Sequence, residues 1–179
     1  MLFRSLVVRN TDSVSLQIFD EEIRYFAPPG STQNHLRNLM NMLERNKPGG
    51  TTSLAKALRR SSPLLRRKGT LVVLSDFLDE PPEIFRALSV YLHRGFNIHL
   101  FHVISPEERK LEHIGLRTFV DMENGGKLVV HSSSIADAYN REMSRHIESL
   151  RAMSVRRRID YSIADTSTPY FQLFDRFSK

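Results

Sequence analysis

Two short apolar runs with an amphipathic segment between them dominate the middle of the chain. The runs are Thr70–Leu74 and Asn97–Val103, and both are continuous, a pattern typical of strands buried on both faces of a sheet. The intervening segment, Glu83–His93, places apolar residues at helical spacing, follows two prolines and ends before Gly95. Strand, helix and strand at this spacing predict a βαβ unit with parallel strands and a right-handed crossover.

The segment before this unit alternates apolar and polar residues. Ser13–Phe19 and Ile23–Ala27 alternate around a polar turn, which predicts an antiparallel hairpin. A helix capped by Ser31 or Thr32 is expected next, and a second helix carries Leu58 on its apolar side. The N-terminal third is therefore predicted to be hairpin, helix, helix.

The segment after the βαβ unit begins with another hairpin. Leu116–Met122 and Lys127–His131 flank an Asn-Gly-Gly turn, which is a strong hairpin signal. A long helix from the region of Ser132 to about Arg156 follows, then a strand over Ile159–Ala164. A short C-terminal helix is predicted from Pro169 to Phe177.

This order of elements predicts one α/β domain over residues 1–179. Its expected architecture is a three-layer α/β/α, doubly wound, Rossmann-type arrangement with a mostly parallel sheet, into which residues 116–131 are inserted as a β-hairpin. The predicted core positions are all aliphatic: Leu58, Leu71, Val73, Ile98 and Leu100.

The amino-acid composition excludes several classes of site and of protein. The 179 residues contain no cysteine, which excludes disulfides, thiolate nucleophiles and cysteine-based metal sites within this sequence. No apolar run approaches the roughly 18–20 residues that span a bilayer, and the N-terminus does not resemble a signal peptide. These features predict a soluble, cytoplasmic protein.

Charge is unevenly distributed along this basic chain, whose net charge is +6. Residues 35–70 contain nine Lys or Arg against one acid, whereas residues 71–90 contain four acids against one Arg. Basic runs can attract nucleic acid, although amphipathic helices also need a charged side. Few aromatics interleave with the Arg residues, so any nucleic-acid binding is expected to be weak, sequence-blind and lost as salt rises.

Candidate chemistry is concentrated near Asp76. The sequence lacks GxSxG, HExxH, the phosphate-binding GxxxxGK[ST] and GxGxxG. Asp76 directly follows a predicted parallel strand and therefore lies at the sheet edge where ligands collect. Its carboxylate and the Thr52 hydroxyl suit Mg²⁺, but an Asp at a strand exit also often caps a turn. His99 and His102 lie three apart on one strand, on opposite faces, and cannot share a metal ion.

Several phrases of the sequence resemble one family. GGTTSLAKAL, then TLVVLSDFLDEPPEIFRAL, FHVISPEERKLE, FVDMENGGKLVVH and IDYSIADTSTPYFQLFDRF occur in the order found in the DUF58 family, whose domain is of the von Willebrand factor A type. The resemblance extends from about Asp12 to the C-terminus. It implies a von Willebrand factor A-like sheet with helices on both faces.

The resemblance also implies a metal-ion-dependent adhesion site. Thr52 matches the family's threonine and Asp76 its aspartate, but the DxSxS segment has no counterpart. Asp12 to Ser15 resembles that segment superficially and lacks its first serine. Ser105 stands where the family often has Asp, and Asn124 where it often has Thr.

The missing DxSxS segment leads to two expectations. Residues 1–11 would be the remnant of the first helix of an N-terminally truncated domain, either a fragment or a degenerate relative that covers the gap as a homodimer. Thr52 and Asp76 would supply only two oxygen ligands, so Mg²⁺ binding is expected to be weak or absent.

The function that the resemblance implies is that of a non-enzymatic interaction module. Members of the family resemble adaptors that work beside MoxR-type AAA+ ATPases in complex assembly or maturation. The expected partner contacts are Ser75, Asp79 and Glu80, on the acidic edge around Asp76. A basic, sequence-nonspecific nucleic-acid-binding protein is the alternative, and a metal-dependent hydrolase built on Asp76 ranks below both.

Overall fold

A computed structural model of the chain describes residues 12–20, 22–47, 53–112, 116–120 and 127–169. The chain divides into two compact units, Met1–Ser61 and Ser62–Lys179. The predicted helix remnant over residues 1–11 and the predicted C-terminal helix, beyond residue 169, lie outside the described residues.

The first unit begins with the predicted hairpin. Strands β1 (Val14–Phe19) and β2 (Ile23–Gly30) pair antiparallel. Helix α1 (Gln33–Arg45) and helix α2 (Leu54–Ser61) follow. Four of the eight residues in α2 are buried and apolar, Leu58 among them, as predicted.

Helix α1 begins where the sequence places a capping residue. The Thr32 hydroxyl accepts a hydrogen bond from the His35 backbone N–H at 3.1 Å, which satisfies one of the otherwise unpaired donors of the first turn.

We predict that Thr32→Ala lowers the free energy of unfolding by about 0.5–2 kcal/mol. Thr32→Ser keeps the hydroxyl and serves as the matched control. Urea denaturation of both variants is the measurement, and equal midpoints would show that the cap contributes nothing.

The second unit contains a three-stranded parallel sheet in the order β3 (Thr70–Ser75), β4 (Asn97–Ile104) and β7 (Asp160–Asp165). Both neighbouring pairs are in register, with Thr70 opposite Asn97 and His99 opposite Asp160. Its elements, in chain order, are β3 (Thr70–Ser75), α3 (Pro81–His93), β4 (Asn97–Ile104), α4 (Pro106–Arg109), β5 (Leu116–Val120), β6 (Lys127–His131), α5 (Ser132–Arg157) and β7 (Asp160–Asp165). The predicted α/β class and the parallel pairing of the two apolar runs are confirmed.

Helix α3 begins and ends as its sequence predicts. Pro81 and Pro82 occupy the first helical positions, where a missing N–H costs nothing. The helix ends before Gly95, whose φ of +77° lies in the left-handed region that glycine adopts without strain. Strands β5 and β6 pair antiparallel, which confirms the second hairpin.

The prediction that β3 is buried on both faces is wrong. Val73 is buried, but Val72 and Leu74, on the opposite face, are 46% and 61% exposed. Leu71 is only half-buried, so its assignment to the core is also wrong. The central strand β4 does match the prediction, because Ile98, Leu100 and their neighbours are buried on both faces.

One face of the parallel sheet is covered by helix α5, which packs against β7 and α3. Leu150 of α5 is completely buried, and Arg157 lies over the Phe85 ring of α3 at 5.2 Å. In-register pairing places Ser75, His102 and Ile163 side by side on one face of the sheet. Among the described residues, no helix is both long and apolar enough to cross a membrane.

Candidate functional site

The loop that leaves β3 lies at the carboxyl edge of the parallel sheet and carries the residues singled out by the sequence. We call residues 75–80 the Asp76 loop. The Ser75 hydroxyl accepts a hydrogen bond from the Phe77 backbone N–H at 3.1 Å, and Asp76 Oδ1 lies 3.4 Å from the Leu78 backbone N. Both side chains therefore cap the turn, the second of the two interpretations given above for Asp76.

Phe77 anchors this loop. Its side chain is completely buried, and its ring meets the His102 ring edge-on with centroids 5.6 Å apart. Its φ of +52° is in the left-handed region, which is strained for a residue with a bulky side chain. Because of this anchor, the neighbouring Asp76 and Leu78 side chains are turned outward, and both residues are exposed.

His102 lies beneath the loop and connects it to β7. The residue is 1% exposed, and its Nδ1 lies 2.7 Å from the Tyr161 hydroxyl. The main-chain carbonyl of Asp76 hydrogen-bonds the ring as well. Burial, followed by the nearby His146, lowers the pKa of His102 to about 4. The ring is therefore neutral near pH 7 and has a hydrogen bond on each side.

The protonation states of this network follow from burial. Burial raises the pKa of Tyr161 to about 12, so its hydroxyl keeps its proton and donates it to His102 Nδ1. The second ring nitrogen of His102 then donates to the Asp76 carbonyl oxygen. His146, from α5, donates from Nε2 to the Phe77 carbonyl oxygen at 2.8 Å. Two histidines thus hold consecutive carbonyls of the Asp76 loop.

A cavity of about 240 Å³ opens beside the loop and is lined by Leu78, Tyr139, Glu142, Met143 and His146. Leu78 is 69% exposed. The Tyr139 hydroxyl donates to the Glu108 backbone carbonyl at 2.6 Å, and burial together with the Glu108 charge raises the pKa of Tyr139. The loop and the first half of α5 therefore form one continuous surface.

The predicted site residues are only partly described. Thr52 lies outside the described residues, so its expected proximity to Asp76 stays a prediction. Ser75 is half-buried and caps the loop, whereas Glu80 is exposed at the N-cap of α3 and Asp79 is half-buried beside it. No group of three or more potential metal-ligating side chains occurs in the described part of the chain.

One of the two family positions that depart from the expected residue can now be placed. The Ser105 hydroxyl accepts from the Glu108 backbone N–H at 3.2 Å, and Glu108 Oε2 accepts from the Ser105 N–H at 2.8 Å. This capping box starts α4, so Ser105 has a local structural role. Asn124 lies outside the described residues.

The sequence interpretation missed the network beneath the loop. The sequence places His102 on a strand but does not predict its pairing with Tyr161 or its contact with the Asp76 loop. The strand period of two sets which residues of β4 share a face with His102, but only the register between β3 and β4 brings that face to the residue preceding Asp76. His146 gave no comparable signal, because helical spacing does not say what a polar side chain contacts.

Comparison with known proteins gives a sequence match and two structural neighbours. The profile of the family described as protein of unknown function DUF58 matches residues 2–161. No curated protein matches the chain. The first neighbour is an aerotolerance-related membrane protein from Bacteroides fragilis, solved with multiple mutations to serines: TM-score 0.52, 14% identity, covering 98% of this chain and 84% of that one.

The second neighbour is a conserved hypothetical protein, BatB, from Bacteroides thetaiotaomicron. Its TM-score is 0.58 at 16% identity, and the alignment covers 99% of this chain and 82% of that one. At these identities the likeness concerns the fold alone.

Proposed function

This chain belongs to the DUF58 family and has a von Willebrand factor A-like α/β fold, and we propose that it is a non-enzymatic protein-interaction module that binds its partner through the Asp76 loop. The observation that carries the proposal is the contrast within that loop. Its backbone is fixed from below by buried side chains, while Asp76 and Leu78 are presented to solvent.

A fixed loop with an exposed apolar side chain is suited to recognition. Ordering a loop on binding costs conformational free energy, and a loop that is already ordered avoids that cost. Phe77, His102 and His146 supply the order, and Leu78 supplies apolar surface that a partner can bury. The same arrangement gives little support to catalysis, because both nitrogens of His102 are already hydrogen-bonded.

The partner we propose is a MoxR-type AAA+ ATPase, in complex assembly or maturation. The identity of this partner comes from the family resemblance. The acidic edge formed by Asp76, Asp79 and Glu80 supports the proposal, because it offers carboxylates for a charged contact. An ATP-driven partner would place the module in the cytoplasm.

The test is direct binding of the purified chain to the MoxR-type ATPase of the same organism, by biolayer interferometry. We expect Leu78→Ser to weaken binding at least about tenfold, since a buried leucine contributes about 1.5–3 kcal/mol. Val155→Ser is the matched control, because Val155 is 72% exposed on the distal half of α5. Equal loss in both variants, or none in either, would contradict the proposed surface.

We expect Mg²⁺ and Mn²⁺ to bind this chain weakly or not at all. In the structure Asp76 Oδ1 already takes part in the loop turn, and a divalent cation needs about six oxygen ligands. Calorimetry on the chain and on an Asp76→Ala variant is the measurement. Micromolar binding that disappears in Asp76→Ala would show that other residues complete a metal site around this carboxylate.

A further inference from the structure

The cavity beside the Asp76 loop is small. Its volume is about 240 Å³, below the roughly 300–1,000 Å³ of typical small-molecule pockets. Leu78 and Met143 give it apolar walls, and Glu142 places a carboxylate at its margin. An occupant with an apolar stem and a polar end would match this lining.

Polar side chains in the cavity lining can still accept hydrogen bonds. The single proton of the Tyr139 hydroxyl is donated to the Glu108 carbonyl, which leaves oxygen lone pairs. His146 donates from Nε2 to the Phe77 carbonyl, so that nitrogen is already engaged within the protein. The Glu142 carboxylate accepts only, and its exposed contact with Arg145, 2.5 Å from Nη1 to Oε1, engages one of its two oxygens. The occupant must therefore supply hydrogen-bond donors.

The charges around the cavity favour a positively charged hydrogen-bond donor over a neutral one. Residues 76–83, which include the cavity residue Leu78, carry four carboxylates, one of which, Glu83, pairs with Arg86. The Glu108 charge also acts on Tyr139. Arg145, which pairs with Glu142, is held in an exposed ion pair, and such pairs contribute little to stability. Carboxylates thus lie in the cavity lining and along the adjacent loop, and they favour a cationic occupant.

We propose that this cavity binds a lysine or arginine side chain that projects from the protein partner. The methylene groups of that side chain pack between Leu78 and Met143, and its N–H groups donate to the Glu142 carboxylate and the Tyr139 oxygen. The inference rests on the proposed function and specifies the chemistry that the partner presents at the site.

The probes are acetylated, amidated pentapeptides Gly-Ser-Xaa-Ser-Gly in which Xaa is arginine, lysine, norleucine or glutamate. The chain is labelled at its six methionine methyl groups, and Met143 reports on the cavity. We expect the arginine and lysine peptides to shift the Met143 signal saturably at pH 7.5, and norleucine, which keeps the stem without the charge, to bind at least about tenfold more weakly. The exposed Met40, in the first unit, should not respond.

Two variants of the protein distinguish binding in this cavity from non-specific attraction to the charged surface. Glu142→Gln should weaken binding of the arginine peptide at least about tenfold, because an ion pair with a carboxylate becomes a hydrogen bond to an uncharged amide. Glu148→Gln is the matched control, because Glu148 forms the same exposed i,i+3 pair with Arg151 on the same helix. Its effect should be within the error of the titration.

The proposal is overturned if the glutamate or norleucine peptide binds as well as the arginine peptide, or if the two Gln variants lose affinity equally. It is also overturned if no peptide shifts the Met143 signal. Any of these results would leave the proposed function unaffected if Leu78→Ser still weakened binding to the ATPase, because that measurement does not depend on the charge of the occupant.

Discussion

Phe77→Ala should lower the free energy of unfolding by about 3–5 kcal/mol, a large part of the stability of a domain of this size. The ring is completely buried and lies edge-on to His102. Alanine removes this contact and leaves a cavity. It does not relieve the left-handed backbone, because alanine is strained at a φ of +52° as well.

Two controls identify the cause of that loss. Phe77→Leu keeps most of the apolar volume and should cost roughly half as much or less. Leu78→Ala changes the exposed neighbour and should stay within about 0.5 kcal/mol of the parent. Urea denaturation with unchanged m-values is the measurement. A loss below about 1 kcal/mol for Phe77→Ala would show that the ring is not the anchor of the loop.

The second large effect is that the free energy of unfolding decreases at acidic pH because of His102. Its pKa is about 4 in the folded chain and about 6.5 when unfolded, so between these values the unfolded chain holds a proton that the folded chain lacks. The stabilisation is complete above pH 6.5 and is lost as the pH falls toward 4. The expected contribution is about 3 kcal/mol over this window.

His102→Gln tests this assignment. The Gln carboxamide can accept from Tyr161 and donate to the Asp76 carbonyl, so it keeps both hydrogen bonds without a titrating group. Denaturation between pH 4.5 and 7 should show a flatter dependence for the variant than for the parent. Asp20 and Asp165 also have lowered pKa values, but theirs lie below 3.8, outside this range. Parallel curves would mean that His102 is already protonated in the fold.

Much of the fold could be predicted because its signals are local. The apolar runs that became β3 and β4 have the continuous pattern of parallel strands, and their parallel pairing follows from the helix between them. The two hairpins are marked by turn residues, and α3 by its prolines and Gly95. Each signal lies within the element that it specifies.

The burial of β3 could not be predicted in the same way. The continuous run Leu71–Leu74 is compatible with cover on either face, and the pattern does not say which elements supply it. Val73 is buried and Leu74 is not, although the two residues are neighbours of nearly equal hydrophobicity. Burial depends on what packs against a strand, which is a property of the tertiary structure.

The position of the site could be predicted from the sequence, but the contacts that hold its loop in place could not. Asp76 is found at the carboxyl edge of a parallel sheet because it follows β3, and this follows from topology alone. The contacts beneath it join residues 59 and 69 positions apart, His102 with Tyr161 and Phe77 with His146. Neither motif nor periodicity encodes such pairs, since they depend on the register of β7 and the rotation of α5.

The central claim is that partners bind at the Asp76 loop, and site-specific photo-cross-linking in the native host tests it most directly. Benzoylphenylalanine is placed at position 78 in one variant and at position 155 in another, both exposed in the parent. The account predicts a discrete protein adduct from position 78 and none from position 155. Adducts from position 155 alone, or equal adducts from both, would contradict it.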